Sequence, residues 1–389
     1  MSGGEAAAIG RVGERTIALA VLALGTFAIG TDGHIVIGLL DRIADGFGVS
    51  NARAGQLVTV FALCYALFAP LCGWLFGGFD RKIAVSIAAC VFVLGNALCW
   101  LAPNYPAMLA GRVTAAFGAG MFVPLAFTIA TTLTSDARRG VALSVVFGGM
   151  TIAMLIGVPA GAYLGQRLDW HLVFLIIGVI GLIDLVLLNA FLPAMPQGAR
   201  TTLSERLAPI KNRKVLITLS ITLAGVLSEF TLYTYISVVF ERVQTFAQGI
   251  LPIILFTFGL GALVGNIAVG IATDRLGPRR TLLAAFGAQT VLMPTLFVVR
   301  HVPAAAIGAS FGWGIASYMY LVPIQHKLLE LAKTAGQMTM SLNSSAIYLG
   351  IAAGGALGGL ALAHLGITSL PVLAAALGIG VFAVIAREF

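Results

Sequence analysis

Charge is what this chain has least of. Asp, Glu, Lys and Arg make up only 10% of its 389 residues, against roughly 25% in a soluble domain. So few charges cannot cover a protein of this length in water. That excludes a soluble enzyme and a free nucleic-acid-binding domain, and the 59% hydrophobic content excludes a disordered chain. Cysteine is scarce too. Cys64, Cys72, Cys90 and Cys99 all fall in apolar runs and form no CxxC pair, so neither a metal site nor a disulfide framework is expected. No nucleophile–base pair, ligand cluster or phosphate loop stands at a convincing spacing. No enzymatic activity and no cofactor are therefore expected. The alternation of a membrane β-barrel is missing as well.

What is present is long apolar runs. A transmembrane helix needs about 20 mainly apolar residues, and twelve such segments can be marked. They lie at roughly 16–39, 54–77, 83–102, 105–133, 140–165, 170–192, 215–239, 248–273, 281–299, 303–326, 337–363 and 369–386. The first is too long for a signal-peptide core and has no small-residue cleavage site, so it reads as a retained span. The longest polar stretch runs from Ala194 to Lys214 and ends in the basic group Lys211, Arg213, Lys214. The expected fold is all-α, with twelve transmembrane helices in two six-helix bundles. Residues 1–193 form the first, 194–214 a cytoplasmic linker and 215–389 the second.

The net charge of +8 invites a nucleic-acid reading. Its distribution argues otherwise. With the N-terminus inside, 17 of the 23 Lys and Arg fall on the cytoplasmic side, five outside and one, Arg112, within a span. This is the positive-inside pattern. It predicts a multi-pass protein of the cytoplasmic (inner) membrane with both termini cytoplasmic. The lipid bilayer is then a partner, nucleic acid is not, and the chain is expected to be a monomer.

An internal repeat supports the two-bundle reading. The loop after span 8 runs Gly270-Ile-Ala-Thr-Asp274-Arg275-Leu-Gly277-Pro-Arg279-Arg280, and that after span 2 runs Gly73-Trp-Leu-Phe-Gly77-Gly78-Phe-Asp80-Arg81-Lys82. The two are offset by 197 residues. A repeat at matching places in two halves marks a transporter built from two bundles.

On these residues the chain resembles the major facilitator superfamily, whose short loop signature between spans 2 and 3 is often echoed between spans 8 and 9. The second copy here is complete. The first has Gly77 and Gly78 where the family has Asp and Arg. The resemblance implies a gating role for Asp80, Arg81, Asp274, Arg275 and Arg279. Arg112 in span 4 is similar to the arginine motif of proton-coupled members. Gly157-Val-Pro159-Ala-Gly161 in span 5 looks like the family's antiporter motif and is expected to kink the helix. Span 1, with Asp32-Gly33-His34, and the Phe230–Tyr235 run of span 7 are similar to bacterial drug and sugar efflux permeases of the arabinose-efflux type.

Charges inside a membrane cost about 2.5–3.5 kcal/mol each on insertion scales, so isolated ones are candidates for function. Asp32 and Arg112 lie at similar depth, each about seven residues from the outer end of its apolar run. An ion pair between them is expected, acting either as a proton switch or as a fixed structural pair. Glu229 stands 197 residues after Asp32, so a two-fold bundle would set the two acids across one cavity. Without a basic partner, Glu229 is taken as the carboxyl that keeps its proton until the cavity opens, or merely as a group that keeps the cavity wet. Asp184, in the peripheral span 6, is expected to make a packing hydrogen bond.

Candidate substrate contacts are His34, Phe117, Phe230, Tyr233, Tyr318 and Asn343, with Gln289 a further hydrogen-bonding side chain. Pro124 and Pro323, 199 residues apart, are expected to kink spans 4 and 10 equivalently. The function expected is proton-coupled efflux of a small amphipathic molecule, such as a drug, sugar or metabolite, by alternating access. Proton symport or uniport for uptake is the alternative, ahead of a non-transporting sensor.

Overall fold

The computed structural model describes residues 3–76, 78–135, 138–193, 195, 202–241, 250–332 and 336–388. Gly77 and most of the segment 194–201 lie outside them. Among the described residues, twelve helices are long and apolar enough to cross a membrane: Arg15–Phe47, Asn51–Cys72, Arg81–Trp100, Tyr105–Leu133, Arg139–Arg167, His171–Phe191, Arg213–Tyr233, Ile250–Leu276, Pro278–His301, Pro303–Ala332, Met338–Leu365 and Ser369–Glu388. They are spans 1 to 12 below. The chain is a multi-pass membrane protein. Helices are what a lipid interior permits, because each satisfies its own backbone polar groups. The polar breaks between spans carry the caps. Ser50, Asp80, Asn104 and Asn212 each accept a backbone N–H from the first turn of the following helix. Large apolar side chains such as Ile83, Leu94, Val186, Ile267, Val291 and Val372 stay exposed, which suits a surface facing lipid.

Four elements depart from the apolar pattern. The helix of span 1 continues past its apolar run to Phe47. Span 7 stops at Tyr233 and resumes as a short helix, Ile236–Glu241. At that break the Tyr235 hydroxyl donates to the Gly355 carbonyl at 2.8 Å. Span 10 breaks between Pro303–Tyr318 and Leu321–Ala332. Pro323 has no N–H for the carbonyl four residues back, at Met319, which sits in this break. Span 4 runs unbroken through Pro124, so the two prolines are not equivalent. Span 5 contains a π-helical turn, Ala153–Gly157, two residues ahead of Pro159.

Small residues bring spans 1 and 5 together. Gly157, Gly161 and Gly165 face Thr31, Ile35 and Leu39 so closely that a β-carbon at any of the three would collide. This four-residue spacing on both helices is small-residue packing as used in lipid.

The two halves touch from the end away from the linker, here the distal end, to the middle of the spans. Gly55 of span 2 abuts the Tyr235 ring, and Gly359 of span 11 abuts Gln56 and the Ala52 carbonyl. Gly259 of span 8 lies against span 5, where an added β-carbon would stand 2.5 Å from the Met154 carbonyl oxygen. Further along the same two spans, Gly148 and Gly270 have open space in front of them.

Candidate functional site

Span 1 supplies Asp32 and span 4 supplies Arg112, and both side chains are fully buried. Arg112 Nη1 donates to Asp32 Oδ1 at 2.8 Å, and Nη2 donates to the Asp32 backbone carbonyl at 3.1 Å. The guanidinium lies over the Phe61 ring, 4.2 Å from its centroid, a cation–π contact that helps to offset lost hydration. Among the described residues, Asp32 Oδ2 and Arg112 Nε have no hydrogen-bond partner. The pair is therefore tied by one carboxylate oxygen, with the other left over.

Glu229 of span 7 is also buried. Its neighbours are neutral. Gln289 Nε2 of span 9 donates to Glu229 Oε2 at 3.3 Å, and the Ser317 and Tyr320 side chains of span 10 face the same carboxyl. Among the described residues no ion pair involves Glu229. The repeat is thus chemically asymmetric: one half gives its acid an arginine, the other gives it an amide and hydroxyls.

Aromatic groups lie near both acids. Tyr65 of span 2 stacks on Tyr348 of span 11, with ring centroids 3.6 Å apart and planes inclined by 17°. Tyr348 interacts electrostatically with Asp32, and Tyr318 with both Glu229 and Tyr348. His34 meets Phe230 across the bundle interface at 6.0 Å, its Nδ1 3.0 Å from the Gly30 carbonyl.

The other candidates take different places. Tyr233 is packed among Phe230, Phe258 and Trp313. Phe117 pairs with Phe68 at 4.9 Å. Asn343 accepts a hydrogen bond from the Thr222 hydroxyl at 2.9 Å, tying span 11 to span 7. Tyr65, Tyr348, Phe61 and Ser317 were not singled out from sequence. Neither Tyr65 nor Tyr348 has a tyrosine 197 residues away, so the repeat gives no signal for them.

The loop residues at the linker end cap helices. Asp80 accepts from the backbone N–H groups of Lys82 and Ile83 at 2.8 and 3.3 Å, opening span 3. Arg81 donates to the Thr132 hydroxyl at 2.8 Å. Lys82 donates to the Asn189 and Leu192 carbonyls at 2.9 and 2.6 Å, at the end of span 6. In the second copy, Arg279 donates to the Ala386 carbonyl at 2.6 Å, at the end of span 12. Asp274 and Arg275 are exposed. Gly277 has φ 81° and ψ 159°, a conformation essentially reserved for glycine.

The comparisons with known proteins agree with this architecture. The family description Major Facilitator Superfamily matches residues 22–339. The chain is 33% identical over 360 residues to the inner membrane transport protein YdhP of Escherichia coli (strain K12), covering 92% of each chain. It is 32% identical over 350 residues to the MFS-type transporter YbcL of Bacillus subtilis (strain 168), covering 90% of each. It is also 26% identical over 359 residues to a probable sugar efflux transporter of Mannheimia succiniciproducens, covering 92% of this chain and 90% of that one. With twelve apolar spans and buried polar groups at its centre, this chain belongs to the major facilitator superfamily and is a membrane transporter of small solutes.

Proposed function

We propose that the protein exports a small amphipathic solute across the cytoplasmic membrane in exchange for protons. The carrying observation is the unequal treatment of the two repeat-related acids. Asp32 is tied to Arg112 through one oxygen, whereas Glu229 has only neutral partners. Protonation of Asp32 weakens its hold on Arg112. Glu229 carries no charge while it is dry and ionises when water reaches it. Each step changes the charge inside the protein. A ligand shifts a conformational equilibrium only by binding the two states differently, and a buried charge supplies such a difference.

The contact between the two halves and the repeat support alternating access by movement of one bundle against the other. Asp80, Arg81, Asp274, Arg275 and Arg279 are proposed as the gating set at the linker end, and the turn before Pro159 as the flexible point of span 5. His34, Phe230 and Tyr318 are the best-placed substrate contacts, with Phe117, Tyr233 and Asn343 behind them. The name of the Mannheimia succiniciproducens relative adds sugars to the substrate classes worth testing.

The test uses everted membrane vesicles, with and without the protein, and a panel of radiolabelled sugars and amphipathic drugs. An acidic lumen should drive accumulation of at least one compound, and dissipating the pH gradient should abolish it. Accumulation that ignores the gradient, or that needs an alkaline lumen, would overturn the proposal in favour of uniport or symport.

A further inference from the structure

The carboxyl of Asp184 has no part in the scheme above. Span 6 is otherwise apolar along this stretch, yet Asp184 is 1% exposed and turns inward. Its carboxyl lies against the backbone of Gly25 in span 1. Oδ1 has no partner. Gly25 is what lets the group in. A β-carbon there would lie 2.5 Å from Asp184 Oδ2 and would collide with the Phe122 ring of span 4.

The Gly25 α-carbon and the Phe122 ring thus lie against Asp184. No ion pair among the described residues involves it. Four charged groups on the packed elements are engaged elsewhere. Asp32 and Arg112 pair with each other, the Lys82 ammonium is on the Asn189 and Leu192 carbonyls, and Arg81 is on Thr132. A bound metal ion is a poor occupant, because hard cations take about six oxygen ligands and none of the facing groups just named supplies another. An ionised carboxylate with no charged partner in such surroundings is costly. The proton is the ligand this chemistry accepts.

Position gives the site a use. Gly25 and Asp32 are seven residues apart on one helix, about two turns, so they share a face and differ in depth by about 10 Å. Asp184 thus lies along the same seam as Asp32, nearer the linker end. We propose that Asp184 is a third proton-binding site, whose occupancy holds spans 1 and 6 together at the linker end and whose proton leaves when that seam parts. Its part in a transport cycle rests on the proton-coupled reading, but its binding of a proton does not.

Infrared spectroscopy of the full chain in lipid nanodiscs tests it, with proton uptake followed by titration in weak buffer. At neutral pH the parent should show a carboxylic-acid band that survives in the Asp32→Asn, Glu229→Gln double variant and is lost in Asp184→Asn. Asp184→Asn should also bind one proton fewer than the parent. An Asp184→Asn spectrum identical to that of the parent, or a band removed by sodium at constant pH, overturns the site. Should Asp184→Asn not assemble, Gly25→Ala decides: its methyl should shift the band, and an unmoved band overturns the proposal. If the double variant retains pH-driven export, the coupling scheme falls while the Asp184 band remains its own result.

Discussion

Lys82 and Arg279 stand 197 residues apart, and the carbonyls they cap, at Asn189 and Ala386, are 197 residues apart as well. Each half of the molecule closes its last helix with a cation from the start of its third. A positive group at a helix C-terminus satisfies carbonyls that the helix leaves free and opposes its dipole. The duplication thus extends to individual donors and acceptors, although one cap is an ammonium and the other a guanidinium.

Removing either cap should destabilise its own bundle. Lys82→Ala and Arg279→Ala are each expected to cost about 1.5 kcal/mol, the lower end of the range for hydrogen bonds to charged groups. Thermal unfolding in detergent should show both midpoints lowered, with each exchange variant, Lys82→Arg and Arg279→Lys, close to the parent. A midpoint unchanged in both alanine variants would deny the caps any structural weight.

Breaking the buried pair from one side should be worse than removing both charges. Asp32→Ala leaves Arg112 buried and uncompensated, at a cost of about 3–5 kcal/mol. The double variant Asp32→Asn, Arg112→Gln should recover much of that stability without recovering transport. Yield of folded protein and vesicle transport, measured on the same preparations, separate the two effects.

Glu229→Gln keeps an oxygen that can accept from Gln289 and is expected to leave the unfolding midpoint within about 1 kcal/mol of the parent. Export driven by a pH gradient should fall at least tenfold. Full pH-driven export in this variant would remove Glu229 from the coupling set.

The grip between spans 5 and 8 should be sensitive to a single methyl. Gly259→Ala places a β-carbon against the Met154 carbonyl and is expected to shift the population toward a distally open form. Spin labels on the distal ends of spans 5 and 8 should report a longer mean separation than in the parent.

Outside the membrane, Asp169 offers a titration with a worked sign. The His171 backbone N–H and then its side chain, 2.7 Å away, hold the Asp169 carboxyl below its ordinary value. Its stabilising contribution is therefore full above the usual carboxylate range and is lost as pH falls through the lowered value. Asp169→Asn should unfold at a slightly lower temperature than the parent at neutral pH, with the gap closing on acidification. The group is well exposed, so the gap will be small.

The twelve spans were legible because hydropathy is summed over many residues, so local errors cancel. Their ends were less so. Apolar character marks where lipid stops, whereas hydrogen bonds mark where a helix stops, and in span 1 the helix continues to Phe47. Asp32, Arg112 and Glu229 stood out because an ionisable side chain is rare in such surroundings. Tyr65 and Tyr348 did not, because an aromatic residue is at home in lipid, in a core or at a cavity, and only the packed faces distinguish these. The partners of Lys82 and Arg279 are backbone carbonyls, which carry no residue-type signal. Only the shared offset could have pointed to them.

The π-helical turn in span 5 sets a phase. By holding one residue more than an α-helical turn, it keeps Gly149 facing Ala23 while Gly157, Gly161 and Gly165 still face Thr31, Ile35 and Leu39. Each residue of an α-helix advances the chain by about 100°. Losing a single residue from that turn would swing all three glycines off span 1 and turn bulkier side chains into the seam. The length of this short segment is thus as constrained as its composition.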